Sequence, residues 1–373
     1  MSRFARLCEI SSPTGEERAI ADAVRTELES FGLEVDEDGA APVAGAGAGN
    51  LLARIPGRSR PDGTDPGNVM FCAHLDTVPH DGPIEVVLDE EGVYRSGGNT
   101  ILGADNKAAV AVLIELASRH SKEPPPVGLE LLFTVAEEQG LLGAKAFDHS
   151  RLRSRVGFVL DHATDIGEVV TAAPTHIGFA AEFAGVEAHA GLVPETGRSA
   201  IAAAAGAIAE MNLGRLDDET TANVGVISGG TSGNVVPGRC RVVGEARSVD
   251  EGRVIELIGE MTDAMVWAAS EAGCEVDVIT EKHFDGYRVG DHSRALALAE
   301  SALVACGVAP VRIATGGGSD ASVFRERGMD CLLLANGTYA NHTHDESVPR
   351  ENLEKMLEVC DRIVAIAGAE GRC

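Results

Sequence analysis

The sequence predicts an α/β protein with a smaller ferredoxin-like (βαββαβ) unit inserted into it. Three observations predict it. Apolar runs at 68–74, 129–135, 156–160 and 331–335 alternate with helical patterns in the flanks. The middle of the chain reads instead as strand, helix, strand, strand, helix, strand. A length of 373 residues exceeds one ordinary core and suits two. The boundaries follow: 1–175 plus 288–373 form a discontinuous larger domain, and 176–287 an inserted one.

Taken in order, Thr14 and Glu17 have the spacing of a capping box. Ile20, Val24, Leu28 and Phe31 then recur at helical spacing, and Gly32 offers a stop. Residues 36–50 form a Gly/Ala loop; no Lys-Ser/Thr follows its glycines, which argues against phosphate binding. A turn-rich loop is expected over 56–67. The strand 68–74 ends in His74, and Asp105 is placed to cap a helix over 106–119 whose Val110, Leu113, Ile114 and Ala117 share one face. The strand 129–135 ends before Glu137 and Glu138, the strand 156–160 before Asp161, and the strand 331–335 shortly before His342. In the middle, strands are expected at 177–185, 222–228, 239–246 and 274–279, and helices at 198–211 and 251–273. Val254, Leu257, Ile258, Met261 and Met265 line one side of the second helix.

Charge excludes several partners. A formal net charge of −27 disfavours nucleic acid and anionic membrane, which want a basic face, and marks a solvated acidic surface. The eight cysteines are scattered without a CxxC pair, so neither a thiolate zinc knuckle nor a disulfide scaffold is supported. Reduced thiols in a cytoplasmic protein are the expectation. Residues 1–7 are too polar and short for a signal segment, and no run approaches the roughly 20 apolar residues of a membrane span.

Chemistry concentrates at strand ends, where ligands collect in α/β sheets. Side chains two apart on a strand share a face, so His74 and Asp76 project together. An imidazole that binds metal needs its other N–H held by an acceptor. His74, Asp105, Glu138, Asp161 and His342 make two imidazoles and three carboxylates. That set suits zinc, manganese or cobalt, and is too large for one catalytic zinc, which keeps about three protein ligands. Two divalent ions sharing one carboxylate fit better, and such a pair acidifies a water and polarises a carbonyl. Glu137 and Glu138 are adjacent and point apart, so one can bind metal while the other serves as general base.

These motifs resemble the M20 metallopeptidase family, in particular its peptidase T-like (tripeptide aminopeptidase-like) members. The resemblance rests on His74-Leu75-Asp76-Thr77-Val78-Pro79, Leu102-Gly103-Ala104-Asp105-Asn106-Lys107, Glu137-Glu138-Gln139-Gly140, Val159-Leu160-Asp161 and His342-Thr343-His344-Asp345-Glu346. It extends through the middle of the chain in Ala188-His189-Ala190-Gly191 and in Gly229-Gly230-Thr231-Ser232-Gly233-Asn234. It implies a mixed-sheet, zinc-exopeptidase-type catalytic domain with an inserted lid that serves as a dimerisation surface. It further implies that His74 and Asp161 hold one zinc, that Glu138 and His342 hold the other, and that Asp105 bridges them. By the same resemblance Asp76 orients His74, Glu137 is the base and His189 stabilises the oxyanion. Asn234 and Arg247 become lid candidates for substrate polar groups, and the loop 315–320, with Gly317 and Ser319, a substrate-facing glycine loop. The resemblance places a Glu four residues after the last ligand His; Glu346 stands four after His342, so His342 rather than His344 is taken as that ligand. Where many members carry Asp after the bridging Asp, this chain has Asn106.

The expected activity is metal-dependent release of an N-terminal residue from short peptides, tripeptides above all. A carboxypeptidase or N-acyl-amino-acid amidohydrolase on the same two-metal site is the alternative. A non-catalytic metal- or peptide-binding protein is a third reading, one in which Glu137 would be dispensable.

Overall fold

The computed structural model describes residues 3–59 and 67–370. The loop expected over 56–67 thus lies partly outside the described residues, as does Cys373. The chain divides into two compact units, Met1–Thr171 with Val289–Ile313 and Ser319–Cys373, and Ala172–Arg288 with Ala314–Gly318. The smaller unit therefore takes part of the glycine loop expected in the larger one. Two hydrogen bonds tie it there: Thr315 N–H donates to the Ala172 carbonyl, and Arg247 Nη1 to that of Gly316.

In the larger unit a mixed sheet is parallel at its centre. Asn68–His74 lies between Gly128–Thr134 and Val156–His162, parallel to both, and Asp330–Ala335 runs parallel to Val156–His162. Antiparallel strands extend it: Leu51–Ile55 beside Gly128–Thr134, and Glu168–Ala173 beside Asp330–Ala335. Each central strand is apolar almost throughout because both its faces are covered. The helix Ala104–His120 is apolar nearly all round and buried for most of its length, as a core helix must be. Register then aligns the chemistry. Cys72 pairs with Val159, so two residues further on His74 and Asp161 emerge side by side at the carboxyl ends of their strands.

The smaller unit is a five-stranded antiparallel sheet with the helices Ala200–Glu210 and Glu251–Glu271 packed on it. Its central strands Thr175–Ala184 and Arg239–Ser248 alternate, with Ile177, Phe179, Ala181 and Phe183 turned into the core. Gly214–Asp217 adds an edge strand beyond the expected βαββαβ order. Ser199 and Asp250 cap the two helices through their side chains.

Two expected caps are absent, for the same reason: their side chains serve the site instead. Helix Arg18–Ser30 starts at Glu17 without a side-chain cap. Thr14 donates its hydroxyl to Asp76, and the buried Glu17 carboxylate accepts from Gly15 and Gly47 N–H. Likewise the backbone is non-helical at Asp105 and Asn106, where Ala104–His120 is kinked, and the Asp105 carboxylate makes no cap bond but faces two imidazoles. Helices Arg3–Cys8, Arg294–Ala305 and Arg350–Glu370, and the hairpin Val86–Leu88 with Val93–Ser96, occupy segments where no element is expected.

Candidate metal centre

Five side chains from distant parts of the chain meet in the larger unit. His74 Nε2 lies 3.1 Å from Asp105 Oδ1 and 3.3 Å from Asp161 Oδ1. His342 Nε2 lies 3.2 Å from Asp105 Oδ2 and 2.9 Å from Glu138 Oε1. Asp105 thus turns one oxygen to each imidazole, the orientation a shared ligand requires. Donor atoms of His74, Asp105 and Glu138 fall within 4.8 Å of one another, and so do those of His74, Glu137 and Asp161. Glu137 therefore stands at the His74–Asp161 end, and Glu138 at the His342 end.

The backbone explains how neighbours in sequence diverge. Ala136, just before the glutamate pair, has φ 50°, and His342 has φ 65°. This left-handed region is uncommon for residues with a Cβ, and its use at a site signals a conformation imposed by surrounding structure. His344 is not turned inward; its side chain is 64% exposed, with Asp345 at 3.5 Å.

Electrostatics bear out the crowding. Burial alone would lower the His74 pKa, but Asp161, Asp105 and Asp76 outweigh it and hold the imidazole well above its ordinary range. Hydrogen bonds to Asp105 and Glu138 push His342 up to about 10. Burial lifts Asp161 to about 7 against the pull of His74. Glu137 is raised well above the carboxylate range by burial and then by Asp161. Asp105 moves the opposite way: burial opposes, but His342 and His74 hold it low. Such confined acids call for positive charge, and nitrogen and oxygen donors are what borderline divalent ions take. The donor set His74, Asp105, Glu138, Asp161 and His342 is chemically suited to divalent ions.

Three further carboxylates shape the site. Asp76 is fully buried; its oxygens accept from the N–H groups of Glu137 and Glu138 and from the Thr14 hydroxyl. His74 Nδ1 is 2.9 Å from the Asp76 main-chain carbonyl but 3.5 Å from its carboxylate. The imidazole is thus oriented mainly by backbone, and the Asp76 side chain holds the glutamate pair. Glu346 accepts from the backbone N–H groups of Leu102, Gly103 and Asp105 at 2.7–2.8 Å. Asp320, also buried, accepts from Thr134 Oγ1 at 2.5 Å and leaves Oδ1 unpartnered, and burial pushes it up to about 6. Nothing in the sequence distinguishes Asp320 from a surface acid after a glycine loop. For Glu346 the spacing to His342 is a signal, although it does not reveal what the carboxylate holds. Asn106 Nδ2 is buried without a partner beside Asp105.

Other expected site residues lie in the smaller unit. His189 belongs to a two-residue ladder, paired with Val235, and Asn234 immediately precedes that ladder's second strand. Ala190 N–H donates to the Asn234 carbonyl, and His189 Nδ1 accepts from Gly191 N–H. Arg247 has its Nε and Nη2 on Glu245 and its Nη1 on the Gly316 carbonyl. One edge of the fork expected to grip a carboxylate is thus already taken. Gly317 N–H is likewise used, by Thr315 Oγ1. Ser319, in the larger unit, is buried and caps the helix Asp320–Glu326, which withholds its hydroxyl from a substrate.

Glu245 also contacts His176 at 2.9 Å. The adjacent His176 imidazole, and then the Arg247 guanidinium, lower its carboxyl from 4.5 to about 2. A folded-state pKa below the unfolded one adds stability that is complete above about 4.5 and fades as pH falls toward about 2. The Tm difference between the wild type and Glu245→Gln should therefore narrow through that window in thermal scans. A constant difference would show that the carboxylate's charge contributes nothing.

The sequence profile of Peptidase family M20/M25/M40 matches residues 70–365. The chain is 36% identical to YqjE, an uncharacterised protein of Bacillus subtilis (strain 168), over 98% of this chain and 97% of that one. Among solved structures it is similar to aminopeptidase PepT from Bacillus cereus ATCC 10987, with 37% identity, a TM-score of 0.86, and coverage of 98% and 96%. It is also similar to a tripeptidase from Staphylococcus aureus subsp. aureus mu50, with 32% identity, a TM-score of 0.92, and coverage of 98% and 97%.

Proposed function

This chain belongs to peptidase family M20/M25/M40, and on that footing we propose that it is a two-metal aminopeptidase that releases the N-terminal residue of tripeptides. The observation that carries the reading is the Asp105 carboxylate held between His74 and His342, with Glu137 at the His74–Asp161 end. The similarity to an aminopeptidase and a tripeptidase over nearly the whole chain supports the substrate class. When bound, a pair of divalent ions, zinc in this reading and cobalt or manganese as substitutes, supplies Lewis acidity to a carbonyl and acidifies a water.

The chain's own groups do the rest. Glu137 takes the proton of the attacking water and returns it to the leaving amine. Asp76 fixes the backbone from which Glu137 projects. His189 donates to the oxyanion of the tetrahedral species, and Asn234 and the remaining edge of Arg247 hold substrate polar groups. Exposed Ile255, Val266 and Trp267, at 56%, 52% and 57%, support the helix Glu251–Glu271 as a homodimer surface. Free cysteines among the described residues support a cytoplasmic setting. No helix among the described residues is long and apolar enough to cross a membrane.

Metal-reconstituted protein assayed on Ala-Ala-Ala and on its N-acetylated and C-amidated forms tests the reading. Cleavage should be lost on acetylation, retained on amidation and abolished by a chelator. The reverse pattern between the two blocked peptides would identify a carboxypeptidase or N-acyl-amino-acid amidohydrolase instead.

A further inference from the structure

The segment 10–14 is stitched along the loop that follows His74. Ser12 donates its hydroxyl to the Leu75 carbonyl at 2.9 Å, and the Ser12 carbonyl accepts from Thr77 N–H at 2.9 Å. Thr14 N–H donates to the Thr77 carbonyl at 3.2 Å, and Pro13 and Thr77 pair as a parallel bridge. At the other end Lys107, fully buried, donates through Nζ to the Ile10 carbonyl at 2.6 Å. Lys107 belongs to the helix Ala104–His120, two residues past Asp105. One short segment is thus fastened both to the loop after His74 and to the helix of Asp105, all within the larger unit.

Its last side chain reaches the support of the glutamate pair. Thr14 Oγ1 donates to Asp76 Oδ2 at 2.7 Å. That is shorter than the bonds Asp76 accepts from the N–H groups of Glu137, at 3.0 Å, and of Glu138, at 3.2 Å. Those two N–H groups follow Ala136, whose φ of 50° the surroundings must hold. A carboxylate places two backbone groups only as firmly as it is itself placed. Asp76 is fully buried, and the Thr14 hydroxyl, 62 residues away in sequence, is the side-chain donor that fixes its orientation.

We propose that the segment 10–14 is a brace for the glutamate pair, and that Thr14 is the positioning residue through which it acts, by way of Asp76, on Glu137 and Glu138. The inference rests on the two-metal peptidase reading, in which Glu137 moves the proton and Glu138 is a metal donor.

The test uses Thr14→Val, which keeps the side chain's shape and removes the hydroxyl, beside Thr14→Ser, which keeps the hydroxyl. On Ala-Ala-Ala at saturating metal, Thr14→Val should lower kcat by roughly tenfold with KM little changed, the size of one hydrogen bond to a charged group. Chelator competition should show weaker metal binding in the same variant. Thr14→Ser should restore most of both. In a Glu137→Gln background the Val substitution should cost little further kcat, because the group it positions is already gone, while its effect on metal affinity should persist. Wild-type kcat and metal affinity in Thr14→Val, equal losses in Thr14→Val and Thr14→Ser, or an undiminished kcat loss in the Glu137→Gln background would overturn the proposal while leaving peptide hydrolysis intact. Failure of wild type to cleave tripeptides would instead refute the underlying reading, and this proposal with it.

Discussion

Glu137→Gln is expected to lower kcat by roughly 10²–10⁴-fold, the range for loss of a general acid–base group, with little change in KM. The amide matches the carboxylate in shape, and the backbone N–H of residue 137 stays on Asp76, so local structure should persist. The five proposed metal donors are untouched. Metal content by elemental analysis should therefore remain near that of the wild type, which separates loss of the base from loss of the ions. Burial among His74, Asp161 and Asp320 distinguishes this glutamate from an ordinary surface acid at a strand end. Full turnover in the variant would assign the proton transfer elsewhere.

Glu346→Ala should be the most damaging substitution for stability. The wild-type carboxylate is 1% exposed and accepts three backbone N–H groups from the segment 102–105. Truncation strands all three in the interior, at roughly 1–3 kcal/mol each, so a total loss on the order of 3–9 kcal/mol is expected in denaturant unfolding. Glu346→Gln keeps one carbonyl acceptor and should lose less. Metal affinity should fall in both, because Glu346 joins the segment carrying Asp105 to the loop carrying His342. A variant that unfolds like wild type would show that water replaces the carboxylate without cost.

The sequence was most legible where one physical rule acted alone. Apolar runs covered on both faces marked the parallel strands, and polar residues at their carboxyl ends marked the site. His74, Asp105, Glu138, Asp161 and His342 do converge, with the closest N···O pair at 2.9 Å. Legibility failed where a side chain had two eligible partners. Thr14 and Asp105 have the composition of helix caps, yet each is drawn to the candidate metal centre by contacts more than thirty residues away. Arg247 reads as an open fork until Glu245, two residues earlier on the same strand face, is seen to fill one edge. Helix Arg350–Glu370 did carry a periodic signal, in Met356, Cys360, Ile363, Val364 and Ala367, all buried. Asp320 carried none, because burial of a single acid is a property of the packed fold.

The reach of Glu346 has a consequence for biosynthesis. Its contact with Asp105 joins residues 241 positions apart. A nascent chain from which residues 342–346 have yet to emerge holds His74, Asp105, Glu138 and Asp161 with neither His342 nor the Glu346 clamp. On the proposed reading, the centre would be completed only once translation has passed this point.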